Sequence, residues 1–137
     1  MLLLWQRAPN KFKGGINVKK KVLICSLIAA LLIPISVKAA SSTANIYRAD
    51  TGKDGPNIYI KGYMYLSGSN HVTSSRKLYV ESYYNQVGPD RLALSKLCDI
   101  DSYIYTSGYT EGGNYYVHLD PEGPLTSGCI GTGSLSD

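Results

Sequence analysis

The feature that most constrains the fold of this chain is a stretch of strict alternation from Ile58 to Leu66. Its even-numbered positions are aliphatic or glycine, and its odd-numbered positions are tyrosine or lysine. Successive side chains of a β-strand point to opposite faces, so the stretch predicts a strand with one aliphatic face and one tyrosine face. Because an aliphatic face must be covered by another layer, we expect a packed β domain.

The N-terminal part of the chain has the pattern of an export signal. Three lysines at 19–21 precede an apolar run over 22–35, and small residues suited to cleavage follow at 37–39. We therefore interpret residues 1–39 as a signal peptide and residues 40–137 as a secreted, extracellular domain. The apolar run is shorter than the roughly 20 residues that span a bilayer, which disfavours a retained anchor. No stable membrane insertion is expected after cleavage.

The residues that precede Lys19 fit a signal peptide poorly. The Lys13-Gly14-Gly15 segment can be encoded by a purine-rich bacterial ribosome-binding sequence, and Val18 follows at the spacing of a start codon. We hypothesise that the natural chain starts at position 18, at a GTG codon, and that the host is a Gram-positive bacterium. A different codon at that position in the gene would contradict this hypothesis.

Removal of the predicted signal reverses the charge of the chain. Seven of the fourteen Lys and Arg residues precede residue 40, whereas all ten Asp and Glu residues follow it, which leaves 7 − 10 = −3. This balance provides no basic footprint for nucleic acid and no polybasic patch for an anionic membrane. We therefore expect no nucleic-acid partner.

The secreted part reads as an all-β domain. Turn-forming residues divide it into six or seven short segments of strand composition, and tyrosine is its only aromatic residue. That spacing predicts a small antiparallel sandwich or barrel. We place a mobile leader at 40–44, a hairpin connection at 67–71 and a turn at 111–114, and we expect residues 133–137 to fray.

Cys98 and Cys129 are the only cysteines of the predicted secreted part. An even pair in an exported chain predicts a disulfide, which is useful to a domain with a small core. Closing a loop of about 30 residues would contribute about 3–4 kcal/mol. The alternative of a reactive thiol lacks a C-x-x-C pattern.

Patterns that carry catalysis are weak. His71 and His118, together with many serines, leave room for a small hydrolase, but the chain has no G-x-S-x-G segment. Asp99 and Asp101 lie two residues apart and are expected to be solvated rather than to form a catalytic pair. Zinc and phosphate patterns are absent from the sequence. We therefore expect a non-enzymatic protein with no catalytic residues, no metal and no cofactor.

Tyrosines are the candidate binding residues. Tyrosine offers a rigid apolar ring with a hydroxyl at its tip, and a shared exposed face would exceed the apolar patch of an ordinary monomer. We expect such a face to bind a cell-envelope glycan or another protein. The alternatives are a self-associating structural or matrix protein, and a buried role in which the rings form the core between two layers. The predicted binding residues are Tyr59, Tyr63, Tyr65, Tyr79 and Tyr83.

Overall fold

The computed structural model describes residues 39–137, which form seven antiparallel strands and, within that range, no helix. The predicted all-β antiparallel class is confirmed. The same range holds no helix with the length and apolarity needed to cross a membrane. Except for residue 39, the predicted signal peptide and the start at position 18 lie outside the described residues. The strands are β1 Ser41–Ile46, β2 Lys53–Asp54, β3 Ile58–Asn70, β4 Leu78–Tyr84, β5 Arg91–Cys98, β6 Ser102–Pro121 and β7 Gly131–Ser136.

All seven strands belong to one sheet, with the order β1-β7-β3-β6-β4-β5 and with β2 paired to β6. The central strands are long, because β3 has 13 residues and β6 has 20. The prediction of uniformly short strands is therefore wrong. The predicted hairpin connection at 67–71 is mostly the end of β3, and the predicted turn at 111–114 lies inside β6.

A β-bulge explains why glycine-rich residues do not reverse the chain inside β6. Ile60 of β3 pairs with Gly113 and Gly62 pairs with Thr110, so β6 has one more residue than β3 between these two pairs. Gly112 adopts φ +131, a backbone conformation that side chains other than glycine rarely tolerate. The bulge absorbs the extra residue and lets the strand continue.

The bulge also exchanges the faces of β6. Before it, the even-numbered Ile104 and Thr110 are buried, whereas after it the odd-numbered Val117 and Leu119 are buried. Strand residues alternate between faces, so a single extra residue changes which side chains point to the core. Even-numbered side chains do so before the bulge and odd-numbered side chains do so after it. One strand can thereby contribute to the core along its whole length.

The sheet folds over its own aliphatic face. A Cβ atom at Gly133 of β7 would lie 2.7 Å from Leu119 Cδ2 of β6, and one at Gly68 of β3 would lie 2.7 Å from Val80 Cγ2 of β4. Neither pair of strands is adjacent in the sheet order. The two halves of the sheet therefore face each other, and glycines provide the room for this close approach.

Both ends of the described domain are part of this packing, contrary to prediction. Residues 133–137 do not fray, because β7 pairs with β1 on one side and with β3 on the other. The predicted leader at 40–44 lies largely in β1, where the Ser42 hydroxyl accepts a hydrogen bond of 3.2 Å from the Val117 amide. Fully buried aliphatic residues from several strands complete the core: Ile46, Ile60, Leu66, Leu78, Val80, Val117, Leu119 and Leu135.

The predicted disulfide between Cys98 and Cys129 is not present. Both thiols are free and completely buried. Cys98 Sγ lies 3.3 Å from the Ser102 carbonyl, whereas Cys129 Sγ lies 3.3 Å from the Arg76 carbonyl. The two sulfur atoms thus donate to different backbone carbonyls. The cysteines fill core volume as small apolar residues, and the prediction of a disulfide is wrong.

Candidate functional site

Six tyrosines stand on the outer side of β3 and of the first half of β6. The alternation in each strand turns them away from the aliphatic face, and their exposed fractions range from 37% for Tyr65 to 69% for Tyr109. The alternative in which the tyrosines fill the core is therefore wrong for these six residues. The six residues are Tyr59, Tyr63 and Tyr65 of β3, and Tyr103, Tyr105 and Tyr109 of β6.

Contacts between the strands order these rings. Tyr63 and Tyr109 are directly opposite, with ring centroids 5.5 Å apart in an edge-to-face arrangement. Tyr65 and Tyr105 are stacked at 6.1 Å. Aromatic pairs of this kind contribute about 0.5–1.5 kcal/mol each, which limits the rotation of exposed rings. The residues from Tyr103 to Tyr109 extend the array over about 20 Å along the strand.

The same outer surface continues across β7 to β1. Three cross-strand rows, which start at Ser41, Thr43 and Asn45 of β1, run over it to β6, and none of their side chains is charged. The alternation and the register place hydroxyl and amide groups beside the tyrosines. We call this surface the neutral face. It consists of Ser41, Thr43, Asn45, Thr132, Ser134, Ser136, Tyr63, Tyr65, Ser67, Ser69, Tyr103, Tyr105, Ser107 and Tyr109.

The structure brings together only part of the predicted tyrosine set. Tyr63 and Tyr65 belong to the neutral face, and the exposed Tyr59 lies beyond them, opposite Asn114. Tyr79 and Tyr83 belong to β4, which pairs with the second half of β6, after the bulge. They are half-buried, and they are separated from the neutral face along β6.

Sequence reasoning did not assign a binding role to Tyr103, Tyr105 and Tyr109. Their spacing in the sequence is a period-two pattern, which is the signal that could have found them. The sequence does not show that they lie beside the β3 tyrosines. That placement depends on the register between β3 and β6, which pairs Tyr109 with Tyr63 and Tyr105 with Ser67.

A second aromatic cluster surrounds Tyr83 on the outer side of β4. Its ring stacks on Tyr116 at 5.8 Å and meets His118 edge-on at 5.7 Å, and its hydroxyl donates to Glu81 over 3.0 Å. Burial, reinforced by the Glu81 carboxylate, raises the pKa of Tyr83 to about 12. Burial and the hydrogen bond to Asp90 likewise raise the pKa of Tyr116. Both phenols are therefore uncharged at neutral pH.

His118 is hydrogen-bonded to Asp54, with 2.5 Å between Nδ1 and Oδ1. A hydrolase would also need a nucleophile on the other ring nitrogen, and among the described residues no serine or cysteine is hydrogen-bonded to His118. Asp99 pairs with Lys77 at 2.8 Å, and both side chains are largely exposed. Such a surface pair is the solvated arrangement expected for this carboxylate.

An open cleft of about 510 Å³ lies at one end of the neutral face. The ends of β1 and β3 meet the beginnings of β6 and β7 there, because neighbouring strands run antiparallel. Tyr47 and Tyr103, each 65% exposed, line it together with polar side chains. In the described part of the chain, no group of three or more His, Cys, Asp or Glu residues is placed to hold a metal ion.

The comparisons with known proteins add no relative. Neither the protein-family models, nor the curated proteins, nor the solved structures contain a significant match to this chain. The fold and the neutral face are therefore the basis for any statement about function.

Proposed function

We propose that this chain is a secreted, non-enzymatic binding protein of a Gram-positive bacterium, and that it attaches to a neutral glycan of a cell envelope through the neutral face. The observation that carries the proposal is the uncharged array of exposed tyrosines and hydroxyls on β1, β7, β3 and β6. This array favours a neutral glycan for two physical reasons, which are the shape of the tyrosine rings and the absence of charge.

Ordered tyrosine rings fit sugar rings. An exposed phenol offers a flat apolar surface to the C–H groups of a sugar and a hydroxyl to its oxygen atoms. Because Tyr63 and Tyr109 already contact each other, as do Tyr65 and Tyr105, less side-chain freedom is lost when a ligand binds. The length of the array, about 20 Å, is suited to an extended chain rather than to a single sugar.

The lack of charge disfavours other ligands at this face. A polyanion or an acidic peptide would lose hydration of its charges without gaining an ion pair. Stable protein interfaces commonly use arginine among their strongest contacts, and the neutral face has none. The alternative occupant of the neutral face is a second copy of this chain, which would bind through the same tyrosines. Such self-association is measurable in the same samples.

Cosedimentation of residues 40–137 with insoluble cellulose, chitin and starch tests the proposal. We expect retention by at least one of these neutral polymers. Replacement of Tyr63 and Tyr105 together by alanine is expected to weaken retention tenfold or more, which corresponds to about 1.4 kcal/mol. The matched control is Tyr79→Ala, which removes a tyrosine from β4 and should leave retention unchanged.

Retention by none of the three polymers would overturn the proposal, and so would equal loss of retention in the Tyr79→Ala control. Analytical ultracentrifugation over a range of concentrations separates the alternative. A dimer or larger assembly that dissociates when Tyr63 and Tyr105 are replaced, without polymer binding, would identify the protein as self-associating. Circular dichroism of each variant confirms that the sheet is retained.

A further inference from the structure

The cleft at the end of the neutral face has a floor made by one cross-strand row. Asn45 of β1 pairs with Thr132 of β7, Thr132 pairs with Ser69 of β3, and Ser69 pairs with Tyr103 of β6. Tyr103 forms the wall at the β6 end, and Tyr47, which follows β1, forms the wall at the opposite end. With neighbouring strands about 4.8 Å apart, the row spans about 14 Å.

The polar groups of the cleft include both donors and acceptors. The hydroxyls of Ser69 and Thr132 lie 3.0 Å apart on the floor. Nδ1 of His71 accepts a hydrogen bond of 3.2 Å from the Thr73 amide. Asp101, at the turn before β6, adds a carboxylate acceptor. A sugar hydroxyl, which both donates and accepts, matches such a mixture.

A buried amide on the core side of β3 lies behind the cleft floor. It belongs to Asn70, which is only 2% exposed. Its Nδ2 donates to the Arg76 carbonyl at 2.9 Å and to the Cys98 carbonyl at 3.3 Å, which fixes the orientation of the amide. Its Oδ1 is buried and accepts no hydrogen bond. Because Asn70 follows Ser69 in the strand, its side chain lies on the core side of β3, and the amide supports the floor from behind rather than contacting a ligand in the cleft.

We propose that this cleft is a saccharide subsite that holds one or two sugar units of a neutral chain, with a sugar ring against Tyr47 or Tyr103 and its hydroxyls on the polar floor. The volume of about 510 Å³ lies within the range of small-ligand sites, about 300–1,000 Å³. The inference rests on the proposed function for the class of ligand, and it deepens that function by assigning selectivity to a particular place.

Tyr103 connects the two parts of the surface. It belongs both to the tyrosine array of the neutral face and to the wall of the cleft. The array binds sugar rings mainly by stacking, which tolerates different sugars. The cleft adds directed hydrogen bonds, and a few precisely placed polar groups are what fix the orientation and identity of a small ligand.

Titration of isotope-labelled residues 40–137 with cellobiose, chitobiose and maltose, followed by amide chemical shifts, tests the subsite. We expect one of the disaccharides to shift amides at 45–47, 69–71, 101–103 and 130–132. The Tyr47→Ala variant is expected to weaken this binding tenfold or more and to change polymer retention less than twofold. Tyr79→Ala, on β4 and outside both the neutral face and the cleft, is the matched control and should change neither.

The outcomes separate the two proposals. Polymer retention without disaccharide shifts at the cleft, or with shifts that Tyr47→Ala does not reduce, overturns the subsite and leaves the proposed function in place. Shifts at the cleft without retention of any polymer overturn the proposed function and support the cleft as a site for free saccharides. Equal shifts with sorbitol, a polyol without a sugar ring, would overturn the subsite.

Discussion

Cys98 and Cys129 are apolar core residues in this fold. Each is completely buried, and each thiol donates weakly to a backbone carbonyl. Burial also raises the pKa of the Cys129 thiol, with Arg76 opposing the shift, so the thiol stays protonated at neutral pH. A protonated, buried thiol is a poor nucleophile and is slow to oxidise.

At the scale of the residue, we predict that reductant does not change the stability of residues 40–137. With no disulfide present, the denaturant midpoint should be the same with and without dithiothreitol. Alkylation in denaturant without prior reduction should label both cysteines, whereas alkylation of the native protein should be much slower. Intact mass spectrometry measures the number of labels.

A lower denaturant midpoint in reductant, together with no labelling of the unreduced and denatured protein, would contradict this prediction. A single exposed cysteine introduced at Ser107 provides the control, because it should react at the same rate in native and denatured protein.

The long strand β6 depends on a bulge that only glycine accommodates easily. Gly112 adopts φ +131, and a Cβ atom at this position would also lie 2.8 Å from the Tyr59 hydroxyl oxygen. Without the bulge, a strand of strict alternation would expose Val117 and Leu119 and would bury His118 between them.

At the scale of the element, we predict that Gly112→Ala destabilises the domain by about 1–3 kcal/mol, the usual cost of a side chain in a strained backbone conformation. Chemical denaturation measures the free energy of unfolding. Ser107→Ala lies on the same strand with its side chain exposed, and this control should change that free energy by less than about 0.5 kcal/mol. Equal effects of the two substitutions would show that the bulge carries no strain.

The whole molecule is stabilised by two halves of one sheet that face each other. Leu119 of β6 packs over Gly133 of β7, and Val80 of β4 packs over Gly68 of β3. These contacts join strands that are not hydrogen-bonded to each other, and they bury the aliphatic residues that the alternation in each strand supplies.

At the scale of the molecule, we predict energetic coupling between Gly133 and Leu119. Gly133→Ala should cost about 1–3 kcal/mol because its methyl group meets Leu119, and Leu119→Ala should cost about 2–5 kcal/mol because it leaves a cavity. In the double variant the new methyl group enters that cavity. The combined loss should therefore be smaller than the sum by about 1 kcal/mol.

Chemical denaturation of the two single variants and the double variant measures this coupling. The control cycle combines Gly133→Ala with Leu92→Ala, whose side chain is 49% exposed on β5, and it should be additive. Additivity in both cycles would contradict the close approach of β6 to β7.

The alternation from Ile58 to Leu66 determined by itself that this segment is a strand with an aliphatic face and a tyrosine face, because side-chain direction in a strand is a local property. Only the tertiary structure decided that Gly112 lies in a bulge rather than a turn, that Cys98 and Cys129 remain free, and that the tyrosines of β3 meet those of β6. These outcomes depend on register between distant strands, which no local pattern encodes.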